Sequence, residues 1–201
     1  MKRSHDVFSS SVVRKCILLL FMSGMTTFAF AQKWGVKTNL LYDVTTTFNL
    51  GVEFGLAPRW TFDLSGNYNP RTLNKGKNKK IKHYLVQPEL RYWLCEKFQG
   101  HFFGIHAGFS EFNFSGYRIP FLPKRVKDHR YEGWALLGGI SYGYSWILGK
   151  RWNLEATVGG GYIYFDYDAY DCEKCGSFRG NNTKGRWNLT KAGLTLVYMI
   201  K

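Results

Sequence analysis

The chain has 201 residues, enough for one domain, and its mean hydropathy of −0.28 is that of a polar protein. No stretch after residue 31 is long and apolar enough to form a membrane helix, which needs about 20 such residues. The 28 Lys and Arg against 14 Asp and Glu give a net charge of +14, a balance typical of proteins that meet nucleic acid, membrane surfaces or acidic glycans.

The N-terminal segment has the pattern of an export signal. Lys2 and Arg3 begin a basic region, residues 16–30 are apolar, and Ala29-Phe30-Ala31 is a small-x-small cleavage pattern. A transmembrane anchor is the alternative, but the apolar run is short for that role. We therefore predict a cleaved signal peptide at 1–31 and one mature domain at 32–201. Export argues against a nucleic-acid partner and leaves anionic lipid head groups and lipopolysaccharide.

Eight segments after residue 32 alternate bulky apolar or aromatic residues with Gly, Ser, Asn or charged residues. Strand side chains point alternately to two faces, so each segment has one apolar and one small, polar face. A soluble sandwich also alternates, but a ring-rich outer face and a narrow charged inner face are typical of a barrel in lipid. The predicted fold is all-β, an eight-stranded antiparallel up-and-down transmembrane β-barrel. Its predicted strands are 34–43, 48–56, 60–68, 83–94, 102–112, 134–146, 152–164 and 187–200.

Pro88 interrupts the predicted strand 83–94. Proline has no N–H to donate to a strand ladder, so it is unusual in the middle of a sheet. We therefore expect a bulge at Pro88 or a shifted strand boundary.

Connection lengths orient the predicted barrel. If the end of the leader lies in the periplasm, the long connections after the third, fifth and seventh strands lie outside, as outer-membrane barrels require. Aromatic girdles are expected at both membrane interfaces. Four tryptophans fall at the predicted periplasmic rim and two at the outer rim: Trp34, Trp60, Trp146 and Trp152, then Trp134 and Trp187.

Nine charged or ionisable residues are predicted to face the lumen: Lys37, Asp43, Glu53, Asp63, Glu89, Arg91, His106, Glu155 and Lys191. Clustered carboxylates and bases can indicate catalysis. However, an eight-stranded barrel has room for little besides its own side chains, and buried charges must be paired. We therefore predict a charge-paired lumen and no catalytic residues.

An enzymatic alternative rests on His106, Ser110 and Glu111. His106 and Ser110 share a face of the fifth strand, an arrangement comparable to the Ser-His pair of outer-membrane lipid A deacylases. Those enzymes space the two residues differently, and Glu111 points to the other face. A lipid-modifying enzyme is therefore the alternative hypothesis, and a non-enzymatic barrel is the favoured one.

A soluble lipocalin-like carrier is a second alternative. It would turn the apolar face inward around a ligand and would need a polar exterior. Here that exterior would be mostly Gly, Asn and Ser with few charges, which disfavours the carrier.

Two predicted outer loops are strongly basic. They favour polyanion binding, with lipopolysaccharide as the natural contact, although a solvated loop without a dedicated ligand has the same composition. The candidate polyanion-binding residues are Arg71, Lys75, Lys77, Lys79, Lys80, Lys82, Lys124, Arg125, Lys127 and Arg130.

Cys172 and Cys175 form a single CxxC in the last predicted outer loop. A zinc site would need a second pair or nearby histidines, and redox catalysis would need a thioredoxin-like context. A loop-stapling disulfide is the better reading in an oxidising compartment. We expect no metal site and no cofactor.

The last strand contains Lys191-Ala192-Gly193-Leu194-Thr195-Leu196-Val197-Tyr198, which resembles the C-terminal targeting signal of outer-membrane barrels. Three further segments, 37–43, 49–53 and 87–93, together with 189–193, resemble the small Bacteroidetes outer-membrane proteins grouped as domain of unknown function 3575. The resemblance spans the mature chain and implies an eight-stranded outer-membrane barrel without assigned chemistry.

The sequence thus predicts a small non-enzymatic barrel in the outer membrane of a Gram-negative bacterium. The expected role is structural in the envelope, or surface interaction through the basic loops. The expected partners are outer-membrane lipid, lipopolysaccharide, the barrel-assembly machinery during insertion, and a surface glycan or protein.

Overall fold

The structure is a computed structural model that describes residues 33–70, 72–74, 79–115, 130–170 and 178–200. No helix in these ranges is long and apolar enough to cross a membrane. The elements of the described ranges, in chain order, are β1 (Trp34–Asn39), α1 (Leu40–Val44), β2 (Phe48–Ala57), β3 (Trp60–Asn69), β4 (Thr72–Asn74), β5 (Lys79–Trp93), β6 (Gly100–Ser115), β7 (Arg130–Ile147), β8 (Trp152–Tyr170) and β9 (Phe178–Ile200).

Eight of these strands pair antiparallel in a ring-like sheet. Strands adjacent in sequence are adjacent in the ring, β9 pairs back with β1, and β3 pairs with β5. The three-residue β4 pairs with the start of β5. The ring has two ends, which we name by their connections. Residues 58–59, 94–99 and 148–151 connect strands at the short-turn end, and the loop end holds residues 40–47 and the strand ends Asn69, Lys79, Ser115, Arg130, Tyr170 and Phe178.

The strand register is staggered around the ring. One row of cross-strand partners runs through Trp34, Phe54, Phe62, Leu90, Ile105, Ile140, Gly160 and Leu189. Trp34 itself pairs with Ile200, eleven residues farther along β9. One of those residues is Thr190, which lies in a bulge between β8 and β9. Such a stagger tilts the strands relative to the axis of the ring.

The two faces of the ring differ as the sequence alternation predicts. On the outer face, Ile105 and Ile140 are each 70% exposed. On the inner face, Glu53 and Glu89 are buried at 0% and 1% exposure. The middle of the ring therefore has buried charges inside and large exposed apolar side chains outside, the reverse of an ordinary soluble domain.

The first strand is shorter than predicted, and Asp43 does not face the interior. β1 ends at Asn39, whose side chain accepts a hydrogen bond from Leu41 N and caps α1. An Asn at this position favours a helix start because it satisfies an otherwise unpaired N–H. Asp43 therefore lies exposed in α1, where it accepts hydrogen bonds from Thr38 and Asn49. Its prediction as a lumen residue was wrong.

Five strands extend beyond their predicted bounds by three or more residues at the loop end. β5 begins at Lys79, β7 at Arg130 and β9 at Phe178, while β6 and β8 continue to Ser115 and Tyr170. Lys79, Lys80, Lys82 and Arg130 therefore belong to strands, although they were predicted to lie in loops. The loop end is a sheet that projects on the β5–β9 side, while β1, β2 and β3 stop lower.

The expectation of a bulge or boundary at Pro88 was also wrong. Pro88 pairs in regular register with Leu64 of β3. On the other side, pairing with β6 pauses between Val86 and Glu89 and resumes without a shift. The missing N–H thus interrupts one ladder locally, and the strand continues straight through.

Asn39 takes the place of strand pairing where β1 ends beside β9. Its Oδ1 accepts from Leu194 N at 3.3 Å, and its Nδ2 donates to Ala192 O at 3.2 Å. On the β2 side, Asn49 Nδ2 donates to Asn39 O at 3.1 Å. Side-chain amides therefore satisfy backbone groups that a longer β1 would have paired.

We expect Asn39→Ala to lower the free energy of unfolding by about 1–2 kcal/mol, because it leaves the β9 groups and the start of α1 without their partners. Urea titration of the refolded protein, followed by tryptophan fluorescence, measures this. Asn182→Ala is the matched control, since its exposed amide contacts its near neighbour Gly180. Equal losses in the two variants would contradict the assigned role of Asn39.

Candidate functional site

Seven ionisable side chains from six strands meet inside the ring, and we call them the charge network. Each lies on an inward position of its strand, and six of the seven are at most 4% exposed. The seventh, Lys191, has a side chain that is 13% exposed. The members are Lys37, Glu53, Asp63, Glu89, Arg91, Glu155 and Lys191. Eight of the nine predicted lumen residues are thus inside, the eighth being His106, and Asp43 is the exception.

Arg91 is the centre of the charge network. Its Nη1 donates to Glu53 Oε2 at 2.9 Å and to Glu155 Oε2 at 3.1 Å. Its Nη2 donates to Asp63 Oδ2 at 3.0 Å, and its Nε donates to Glu89 Oε2 at 2.5 Å. One guanidinium therefore joins four carboxylates, as its planar five-donor fork allows.

Two lysines complete the pairing of these carboxylates. Lys37 Nζ contacts Glu53 and donates to Glu155 Oε2 at 2.8 Å. Lys191 Nζ donates to Glu89 Oε2 at 2.8 Å and lies 3.5 Å from Asp63 Oδ2. Four carboxylates thus face three cations, and every carboxylate contacts at least two of them. This arrangement offsets the cost of burying charge, which is high for an unpaired group.

Neutral side chains that the sequence analysis did not single out complete the hydrogen bonding. Thr61 Oγ1 donates to Glu53, and Trp93 Nε1 donates to Thr61 Oγ1 at 2.8 Å. Ser141 Oγ donates to Glu89 Oε1 at 2.5 Å. The signal that could have found them is the same alternation, because each lies at an inward position of its strand.

We expect Ser141→Ala to lower the free energy of unfolding by about 2 kcal/mol, since a buried carboxylate loses a charge-assisted hydrogen bond. Ser65→Ala is the matched control, because Ser65 donates weakly to the backbone oxygen of Gln87 at 3.3 Å. Chemical denaturation of both variants in the same detergent gives the comparison. A control that loses as much stability as Ser141→Ala would refute the assignment.

His106, Ser110 and Glu111 do not assemble into a catalytic set. His106 Nε2 is 2.8 Å from Thr190 Oγ1, and its Nδ1 is 3.9 Å from Glu89 Oε1. Ser110 lies four residues along the same strand, about 13 Å away. Glu111 is exposed on the outer face. The geometry therefore gives the His-Ser pair no shared site.

An aromatic plug closes the short-turn end of the ring. Trp93, Phe98 and Phe102 are at most 4% exposed, and the Trp93 and Phe102 rings pack with centroids 4.7 Å apart. Asn153 Nδ2 donates to Phe98 O at 2.7 Å, which holds the 94–99 connection inward. The Arg91 guanidinium lies 4.5 Å from the centre of the Phe102 ring. The plug and the charge network therefore form one continuous packed interior.

Little free volume remains beside the charge network. A space of about 40 Å³ lies on its loop-end side, between Asp63, Arg91, Lys191 and the end of β1. This volume holds two or three water molecules at most. Among the described residues, no group of three or more His, Cys, Asp or Glu is arranged to hold a metal ion. Among the described residues, the space beside the charge network is therefore too small for a substrate.

The structure describes few of the candidate polyanion-binding residues. Lys82 is exposed in β5, and Lys79, Lys80 and Arg130 have strand positions. The remaining candidates Arg71, Lys75, Lys77, Lys124, Arg125 and Lys127 lie outside the described residues, as do Cys172 and Cys175. Polyanion binding and the disulfide stay predictions. Cys95, at the short-turn end, is a free, exposed thiol.

No curated protein and no solved structure is significantly similar to this chain. One family model matches it, described as "Protein of unknown function (DUF3575)", over residues 16–200. The matched region contains all eight strands of the ring and the whole charge network, in agreement with the resemblance noted in the sequence. The chain therefore belongs to the DUF3575 family.

Proposed function

We propose that this chain is a small, non-enzymatic β-barrel of a Gram-negative outer membrane, with a structural or surface-interaction role in the envelope. The observation that carries the proposal is the inversion of the ring. Buried charges fill the interior, while large apolar side chains such as Ile105 and Ile140 are exposed on the outer wall. Lipid is the solvent in which that distribution is favourable.

The height of the exposed apolar surface supports the same proposal. Trp146 lies near the short-turn end of β7, and Trp134 lies twelve residues away in its loop-end half. This separation is about 40 Å along the strand, or roughly 30 Å along the axis at the usual tilt of about 40°. A bilayer's hydrocarbon core is about 30 Å thick. Aromatic residues thus mark two levels at the spacing of the two membrane interfaces.

The packed interior argues against the two alternatives. A lipid-modifying enzyme would need a nucleophile and base in contact, whereas His106 bonds Thr190 and lies far from Ser110. A lipocalin-like carrier would need an apolar internal cavity, and here the charge network and aromatic plug occupy that place. The function is therefore proposed to reside in the outer wall and the loop end.

The proposed partners follow from this placement. The wall contacts lipid, and the basic residues near the loop end contact lipopolysaccharide phosphates or acidic glycans. An exported barrel of this kind meets the barrel-assembly machinery when it inserts. A leader at residues 1–31 and a cleavage before Gln32 belong to the same proposal.

Fractionation with a heat-modifiability gel tests the proposal directly. Folded membrane barrels resist detergent and migrate differently before and after boiling. We expect the mature protein in the outer-membrane fraction with two such gel positions. Recovery in the soluble periplasm, with identical migration boiled or unboiled, would refute the proposal.

A further inference from the structure

β9 is much longer than the strand that covers one of its edges. β8 pairs with it from Phe178 to Tyr198, whereas β1 pairs with it only from Thr195 to Ile200. Within the described ranges, no strand pairs with this edge before Thr195. Residues 182–187 are exposed throughout, and Trp187 is 77% exposed. In the part of the chain that the structure describes, the projecting sheet at the loop end therefore terminates in an open strand edge.

Three residues of β9 present their backbone groups at this open edge. Met199 N donates to Arg151 O on the β8 side, while Leu194 N faces Asn39 on the other side. The one-residue bulge at Thr190 then reverses which residues face which neighbour. Beyond it, Thr183, Gly185 and Trp187 direct their N–H and C=O groups away from β8. A row of such groups is a template for another strand.

Side chains satisfy the lower part of the edge and leave this upper part open. Asn39 bonds Ala192 O and Leu194 N, and Asn188 Oδ1 accepts from Leu189 N. Tyr162 lies directly over Gly185, where a Cβ would collide with its hydroxyl, and its ring packs edge-on against Trp187. Tyr162 thus packs against the outer face of the segment, whose residues stay exposed.

The charges beside the open edge indicate what kind of strand fits. Lys184 and Arg186 lie on the inner face of β9, opposite Phe165 and Ile163, and both are exposed. An added strand would place its own inner-face side chains next to these two cations. Opposite charges in neighbouring strands are favourable and like charges are not. A second copy paired through the same edge would bring Lys184 and Arg186 close to their own counterparts, which disfavours self-association.

We propose that β9 from Thr183 to Trp187 is a strand-addition site for an extended acidic segment of a partner protein. The partner's backbone completes the ladder, and its alternate acidic side chains pair with Lys184 and Arg186. The inference rests on the proposed surface-interaction function, for which it names a site and a partner chemistry. Binding itself depends only on the folded ring and can be measured away from any membrane.

The test uses the mature chain refolded in detergent micelles and a fluorescent ten-residue peptide of alternating Thr and Glu. Fluorescence anisotropy measures its Kd against the same peptide with Lys in place of Glu. We expect about tenfold tighter binding of the Glu peptide, from two favourable cross-strand pairs. The double variant Lys184→Glu, Arg186→Glu reverses this preference. An N-methylated Glu peptide, which lacks the alternate N–H groups, does not bind.

Thr183→Pro and Thr183→Val separate strand addition from simple charge attraction. Proline removes the edge N–H without touching the ladder to β8, and valine retains it. We expect at least about a tenfold loss of binding in the proline variant and none in the valine variant. Urea unfolding followed by tryptophan fluorescence verifies that each variant is folded.

Three results would overturn the proposal. Unchanged binding by Thr183→Pro would exclude strand addition, and no response to charge reversal would exclude the acidic partner. Self-association of the unaltered chain that Thr183→Pro abolishes would identify a second copy as the occupant. None of these results alters cell fractionation, so failure here and failure of the proposed membrane function are distinguishable.

Discussion

Arg91→Met prevents the protein from folding or lowers its free energy of unfolding by about 3–5 kcal/mol, the range for breaking a buried ion pair. The reason is that four buried carboxylates lose their shared cation while only Lys37 and Lys191 remain to neutralise them. Urea titration of the refolded chain measures the loss. With a slope of about 1–3 kcal/mol per molar urea, the midpoint falls by more than about 1 M.

Two further variants show whether charge balance is the cause. Arg151→Met removes an exposed arginine at the short-turn end whose guanidinium bonds Tyr198, and it leaves the midpoint unchanged. Adding Glu53→Gln to Arg91→Met removes one uncompensated carboxylate and recovers part of the lost stability. A double variant less stable than Arg91→Met would mean that shape and packing, not charge, hold the interior together.

The strands and their two faces were predictable because side chains along a strand alternate between two faces, and here one of these faces is apolar. Glu53 lies between the apolar residues Val52 and Phe54, so the alternation predicts that Glu53 faces inward and its two neighbours face outward. The same rule placed Arg91, Glu89 and Glu155 on one interior surface. The sequence did not predict that these side chains contact one another, because the contacts depend on the stagger between strands that are far apart in the chain.

The deviations occur where the alternation weakens. β1 ends at Asn39 because its side chain caps α1 by accepting a hydrogen bond from Leu41 N. Such a local hydrogen bond competes with strand pairing, and an alternation pattern over ten residues does not detect it. At the loop end, strands such as Phe178–Ile200 continue into segments with polar residues on both faces, which resemble loops in composition. Pro88 does not end or bulge β5, since one missing donor interrupts a single ladder without moving the register.

The stability of Ile140→Arg distinguishes whether the outer face of the ring contacts lipid or water. Ile140 lies midway between the aromatic levels of Trp134 and Trp146 and is 70% exposed. In lipid, an arginine at mid-height costs about 2–4 kcal/mol. In water, the same exposed substitution changes stability by about 0.5 kcal/mol or less. We therefore expect Ile140→Arg to lower the stability of the ring by about 3 kcal/mol in phospholipid vesicles, measured by urea unfolding.

Leu148→Arg is the matched control because Leu148 is 60% exposed but lies in the turn between β7 and β8. At that level the arginine reaches water or lipid head groups, so the cost falls to about 0–1 kcal/mol. The difference between the two variants depends on depth alone, since both replace an exposed aliphatic residue by the same cation. Equal stability of the two variants in vesicles would show that the wall around Ile140 does not meet hydrocarbon. In that case the contrast between buried charges and exposed apolar side chains would not result from a lipid surrounding.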